Sequence, residues 1–269
     1  TSPGLTDLND NGYFFRTAPS DARGGQVLAD ITKDRKVKTI AVTHTNNDYG
    51  KGLADVYVAA VKAHGIKVTA VTAHEEGKGD YGAEVATLAA AGGDALAVLG
   101  YLDQAGGMII QGSLDSGAFD VFVLSDGMIG DSLTDRFGKD LNKSFGSLPG
   151  STGKGAGKFA EVAKAGGIDS SGPYTGESYD AAALITLAMQ AGGKADRATV
   201  QSNVMSVANE PGTKIYPGEL KKALDLLAKG KAINYEGATA VEFTDVGEAF
   251  GSFIEKEIKG GKFKDKKQR

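Results

Sequence analysis

At 269 residues the chain is long for one compact domain and comfortable for two lobes. Its apolar share of 41% and charged share of 24% are those of an ordinary globular protein, and a net charge of −4 leaves no basic footprint for nucleic acid. Cysteine is absent, which excludes disulfides and thiolate metal sites, and no stretch is long and apolar enough to span a membrane as a helix. A chain without thiols suits an oxidising compartment, and 39 glycines suit many strand-to-helix turns. Thr1 is preceded by neither an initiator Met nor an export segment, so the chain reads as a processed protein or a piece of a longer one. The organisation below favours the piece.

Tyr13-Phe14-Phe15 is expected as a strand. Residues 20–33 read as a helix with Ser20 as N-cap and Val27, Leu28 and Ile31 on one face. A buried strand over 39–43 follows, and Asp48 is expected to cap a helix over 50–64. Next come a strand over 68–73, a helix over 81–91 and a strand over 95–100. Met108, Ile109, Ile110 and Leu114 mark another helix, and residues 121–124 another strand. Repeated β-α-β units with apolar, β-branched strands imply a parallel sheet covered on both faces.

Past residue 148 the pattern changes. Helices are expected over 155–165, 177–191, 198–207 and 218–228, then strands over 239–243 and 251–258 around the turn Asp245-Val246-Gly247. Four helices without a sheet of their own need one to pack against, and its natural supplier lies ahead of Thr1. The basic stretch 256–269 reads as a solvated tail.

Two glycine-rich loops invite a phosphate reading and do not support it. Gly77-Lys78-Gly79-Asp80-Tyr81-Gly82 has the G-x-G-x-x-G spacing, with Asp103 about twenty residues on. His74-Glu75-Glu76 intervene between the strand and the first glycine, and these carboxylates with Asp80 would repel a pyrophosphate. A connecting loop is the better account. Gly150-Ser151-Thr152-Gly153-Lys154-Gly155 has P-loop spacing, but Ala156-Gly157 stand where the lysine and hydroxyl are required. His44, His64 and His74 show no metal-ligand spacing and read as scattered surface histidines, and no G-x-S-x-G elbow is present.

The strongest candidate is Asp126 in Ser125-Asp126-Gly127, just past the apolar run 121–124. A carboxylate at the carboxyl end of a buried strand stands where open α/β sheets bind their ligands. Tyr101 follows the strand over 95–100, and Tyr49 follows the strand over 39–43 by a short loop. Each tyrosine either packs on the rim or touches the ligand; Asp126 alone could also cap a helix or act as a base. One anion and two phenols at a cleft suit a small cationic or zwitterionic molecule.

Taken in order, Phe15-Arg16-Thr17-Ala18-Pro19-Ser20-Asp21, Asn47-Asp48-Tyr49-Gly50-Lys51-Gly52-Leu53-Ala54, Gly79-Asp80-Tyr81, Ser178-Tyr179-Asp180-Ala181 and Glu242-Phe243-Thr244-Asp245-Val246-Gly247 resemble one family. It is the extracytoplasmic solute-binding proteins of branched-chain (Leu/Ile/Val-type) amino-acid ABC transporters. The resemblance runs through essentially the whole chain. It implies an α/β architecture of two Rossmann-like lobes with parallel sheets, joined by a three-strand hinge (the periplasmic binding protein type 1 fold). By the same resemblance, residues 1–19 end the first segment of lobe 1, 20–147 form lobe 2, 148–251 return to lobe 1, and 252–269 go back to lobe 2 and the tail. Thr1 resembles the lobe 1 threonine whose hydroxyl receives the ligand's ammonium, Asp126 its acidic partner, and Tyr49 and Tyr101 the lobe 2 wall of the cleft. About a hundred residues that the family carries before Thr1, including the first strands of lobe 1 and the grip on the ligand carboxylate, are not in this sequence. Lobe 1 is therefore expected to be incomplete here.

The function this implies is periplasmic or extracytoplasmic capture of an amino acid by hinge closure, without catalysis or cofactor, and delivery to a membrane permease. The complete protein is expected to act as a monomer. Within this class a branched-chain or aliphatic amino acid leads, with a non-standard amino-containing or aromatic small molecule as the alternative. Two other classes remain: a sensory module on the same fold, and a Rossmann-type enzyme, which would need a phosphate loop and a poised base. A fused signalling segment would favour the first, and a retained nucleotide the second.

Overall fold

Strand residues in the computed structural model, which describes residues 1–269, alternate between two buried faces of one sheet. Helix α1 (Asp21–Asp34) leads into β1 (Thr39–Thr45), α2 (Asp48–Ala63), β2 (Lys67–His74), α3 (Gly82–Ala91) and β3 (Ala95–Leu99). Helix α4 (Gly107–Asp115), β4 (Phe122–Leu124), α5 (Asp131–Phe137) and β5 (Phe145–Pro149) complete the first run. Along β3, Ala95, Ala97 and Leu99 pack with Leu28 and Ile31 of α1 and Leu53 and Tyr57 of α2. Leu96 and Val98 pack the other way, with Leu88 of α3, Ile109 of α4 and Leu133 of α5. This period of two in a strand covered on both sides is what its unbroken apolar run requires.

The second unit holds α6 (Lys154–Ala165), α7 (Thr175–Gly192), α8 (Arg197–Ala208), β6 (Thr213–Ile215), α9 (Leu220–Leu227) and β7 (Ile233–Tyr235). The chain then returns as β8 (Phe253–Lys259) and β9 (Lys262–Gln268), giving a seven-stranded sheet ordered β2-β1-β3-β4-β5-β8-β9. Its first five strands pair in parallel, and β8 pairs antiparallel with both β5 and β9. The architecture is bilobed α/β. The chain passes between the units near Pro19, Gly150 and Gly251, where Gly150 N–H donates to Ser252 O at 3.0 Å and Ser252 Oγ donates to Gly150 O at 2.8 Å. Gly251 has φ of +65°, and a Cβ there would stand 2.3 Å from Pro19 Cβ. Only glycine fits this crossing.

Several expectations need correction. Tyr13-Phe14-Phe15 is not a strand: Asp10 Oδ1 accepts from Gly12 N–H at 3.0 Å and its Oδ2 from Phe14 N–H, so the segment folds into a turn. Asn47, not Asp48, caps α2, accepting from Gly50 N–H at 2.9 Å. Residues 239–243 are not a strand: a turn over 237–240, with Ala240 at φ 56°, leaves only a bridge between Phe243 and Ala249. The helices of the second unit do have a sheet, the parallel pair β6–β7, whose three-residue strands were too short to read.

The basic end is no free tail. Arg269 reaches Glu255 at 2.6 Å and Asp34 at 2.7 Å, while Arg35 holds Glu255 at 2.8 Å and Glu257 at 3.0 Å. The lysines of β9 then blunt an exposed sheet edge. Nor is every histidine on the surface: His74 ends β2 at 1% exposure.

Buried Arg16 ties residues 1–6 to the return segment. Its guanidinium donates to Thr1 O at 3.1 Å, Ser2 O at 2.9 Å and Thr6 Oγ1 at 3.0 Å, and pairs with Glu248. Arg16→Ala leaves Glu248 without its cation and should cost about 3–5 kcal/mol in urea denaturation; a loss below about 1 kcal/mol would remove the pair from this role.

Candidate functional site

β1 lies between β2 and β3, so α2 leaves β1 toward one face of the sheet and α4 leaves β3 toward the other. A crevice opens beyond the carboxyl ends of two such strands. Tyr49 in the first turn of α2, Tyr101 just past β3 and Asp126 just past β4 all stand at this edge.

The structure brings these three together. Tyr49 donates its hydroxyl to Asp126 Oδ1 at 2.7 Å and lies 3.2 Å from Ser125 Oγ. The rings of Tyr49 and Tyr101 are 5.3 Å apart at 31°. Ser125 Oγ also accepts from Gly100 N–H at 3.2 Å, tying the ends of β3 and β4. Gly127 permits that approach, because a Cβ there would stand 2.4 Å from Gly100 O.

Two residues of the site escaped the sequence reading. Tyr174 donates its hydroxyl to Asp126 Oδ2, and it belongs to the second unit, immediately ahead of α7. Its φ of 60° is uncommon for a bulky residue and directs the side chain across the cleft. One carboxylate thus receives a phenol from each side. The only available signal was an aromatic in the polar loop 169–175. Asp21, the other, opens α1 at 5% exposure. An acid in a first helical turn is so commonly a dipole partner that its second use is hidden.

Thr1 does not touch Asp126. Its hydroxyl donates to Asp21 Oδ2 at 2.7 Å, and its carbonyl accepts Asp21 N–H at 2.9 Å. Burial first, and the neighbouring charge of Asp126 second, push the Asp21 carboxyl up to about 6. Burial and the same Asp126 charge raise Tyr49 and Tyr174, so both phenols remain protonated donors. Two carboxylates and three phenols therefore meet where the units face each other. Such a set can receive a hydrogen-bonded cation; it offers no poised nucleophile.

The chain matches the family model described as "Periplasmic binding protein" over residues 1–216. It is 29% identical over 204 residues to an amino acid binding protein of Pseudomonas aeruginosa, covering 74% of this chain and 54% of that protein. It is 27% identical over 232 residues to the chemotactic signal transduction system substrate-binding protein BasB of Halobacterium salinarum, covering 84% of this chain and 54% of that one. The chain thus spans about half the length of these curated relatives. A leucine binding protein of Thermotoga maritima superimposes with a TM-score of 0.80 at 18% identity, over 100% of this chain and 70% of the other. At that identity the likeness bears on fold alone.

The elevated Asp21 fixes a sign for stability against pH. The folded chain binds a proton at Asp21 between about pH 4 and 6 that the unfolded chain does not, so stability falls as pH rises through that window and levels off above it. Asp21→Asn should flatten this slope and stabilise the ligand-free protein at pH 7, by roughly 2–3 kcal/mol. Urea midpoints at pH 4, 5, 6 and 7 read it directly; parallel profiles for the two proteins would contradict the raised carboxyl.

Proposed function

The chain belongs to the periplasmic binding proteins, and from that premise we propose that it captures a small ligand bearing an amino group, an amino acid, between its two units. The observation carrying this reading is Asp126, held at the cleft by phenols from both sides and facing a second acid, Asp21. Neutral phenols satisfy part of the hydrogen bonding of Asp126 without cancelling its charge. An ammonium supplies the charge that cancels it, and its three N–H groups suit the remaining lone pairs of the two carboxylates. The family's setting is periplasmic, and its members bind solutes rather than transform them.

Closure follows from the same geometry. Asp126, Tyr49 and Tyr101 belong to one unit and Tyr174 to the other, so a ligand gripped by both makes more contacts closed than open. That difference in contacts shifts the equilibrium toward the closed form. Delivery to the membrane permease of an ABC transporter is the proposed destination. An aliphatic, branched-chain amino acid is the proposed ligand, in keeping with the amino acid binding named for the Pseudomonas aeruginosa relative. A second reading is sensing, favoured by the relative named for chemotactic signal transduction. Co-purification with a permease or with a receptor separates these two.

Calorimetric titration with L-leucine, L-isoleucine and L-valine should give saturable one-to-one binding. Asp126→Ala should weaken it by about 3–5 kcal/mol, more than a hundredfold; unchanged affinity would defeat the assignment. Near pH 6 an arriving ammonium favours ionised Asp21, so binding should release a proton. The heat measured at pH 6 should then depend on the buffer's ionisation enthalpy and cease to do so at pH 8. Equal dependence at both values would place the ligand's charge elsewhere.

A further inference from the structure

Residues that argue against a dinucleotide loop, His74-Glu75-Glu76, acquire a use in the fold. They stand at the carboxyl end of the edge strand β2, beside the end of β1, with β3 one strand further on. His74 Nδ1 lies 2.8 Å from Thr43 Oγ1, inside the protein. Its Nε2 points toward Glu76 Oε1 at 3.7 Å, and neither atom has another hydrogen-bond partner although both are buried. Facing an acceptor-only carboxylate, Nε2 is the nitrogen that carries the proton, and Nδ1 accepts from the threonine hydroxyl. Burial, the largest influence, holds His74 below the ordinary histidine value, so the ring is neutral at pH 7.

Glu76 directs its other oxygen elsewhere. Oε2 accepts Ala105 N–H at 2.8 Å. Ala105 belongs to the single wide turn Leu102–Gly106 that opens immediately after Tyr101. Within this turn Gln104, at φ −121° and ψ −134°, departs from the helical path, while Gly106 N–H returns to Tyr101 O at 3.2 Å. The segment carrying Tyr101 therefore depends on a side chain of another strand at the point where its own helical geometry is interrupted. A charge-assisted bond to a backbone N–H is among the stronger ones available for that purpose. On the strand side, Gly100 packs directly on the imidazole, since a Cβ there would stand 3.1 Å from His74 Nε2.

We propose that Glu76, backed by His74, is a positioning residue for the binding site: it fixes the turn that holds Tyr101 against Tyr49. The carboxylate touches no ligand on this account. It acts through Ala105 N–H on the ring stacked beside the phenol bound to Asp126. The effect on affinity rests on the amino-acid reading above; the effect on the turn does not.

The test therefore has two readouts. Without ligand, amide hydrogen exchange at Ala105 should accelerate at least tenfold in Glu76→Ala and remain near wild type in Glu76→Gln, whose amide oxygen can still accept. Glu76→Met, which keeps bulk and removes both oxygens, carries the same expectation as the alanine variant and serves if that variant does not fold. With L-leucine as probe, Glu76→Ala should weaken binding about tenfold, Glu76→Gln less than threefold, and Glu76→Ala should add less than twofold in a Tyr101→Ala background. Unaltered Ala105 exchange in both deletion variants would overturn the proposal, as would losses at Glu76 and Tyr101 that multiply independently. Accelerated exchange with no binding of leucine by wild type would support the positioning role and count against the amino-acid reading.

Discussion

A carboxylate shared by two phenols organises the cleft. Asp126 takes one hydrogen bond from Tyr49, on its own unit, and one from Tyr174, on the other. Neither donor is charged, so the pair satisfies lone pairs without removing the anion from the cleft. Everything nearby is arranged around that condition. Ser125 and Gly127 set the strand ends close together, Tyr101 covers the Tyr49 ring, and Asp21 is buried near enough to feel the same charge. Burial first, and repulsion between the two acids second, push Asp21 toward its neutral form. A ligand cation relieves that repulsion, whereas an anion would add to it.

Much of the first unit was legible because its strands are buried on both faces. Unbroken apolar runs such as Ala95–Leu99 leave little choice but a covered parallel sheet, and the strand ends of such a sheet are where a site is sought. Asp126, Tyr49 and Tyr101 follow from that rule alone. The second unit was read less well, because β6 and β7 have only three residues each and depend on the helices around them. Their pairing is set by tertiary contact, not by a pattern in the sequence. Tyr174 lies in a polar loop whose left-handed conformation no local rule demanded. The closing segment misled for a further reason: its lysines look solvated, and in β9 they are, yet Arg35 and Arg269 meet on Glu255, one carboxylate at 2% exposure.

The polar residues of the sheet edge divide their tasks. His74 and Glu76 lie behind the cleft, each with a buried atom directed at the other across a gap wider than a hydrogen bond. Buried groups left so are costly unless the surrounding structure holds them. The Tyr101 turn, interrupted at Gln104, is what they hold. Asp180 does similar work in the second unit. It accepts from Tyr235 Oη at 3.0 Å, Ala238 N at 2.7 Å, and Thr239 N and Oγ1 at 2.9 and 2.7 Å, fastening the loop after β7 to α7. In both units a carboxylate that takes no part in the cleft keeps a backbone segment in register.

The three closely set crossings at Pro19, Gly150 and Gly251 bear on how the molecule can respond. Under the closure proposed above, a single tether would let the units swivel in any direction, whereas three side by side, with Gly251 wedged against the proline ring, would act as the pins of a door and leave one axis of rotation. On the proposed reading, the bulk of the bound molecule then sets how far the door swings. A guest too large for the space between Asp126 and Tyr174 would hold it ajar while still being gripped on one side. Discrimination among ligands would be expressed as an angle as well as an affinity, and a partner that docks on both units would read the angle.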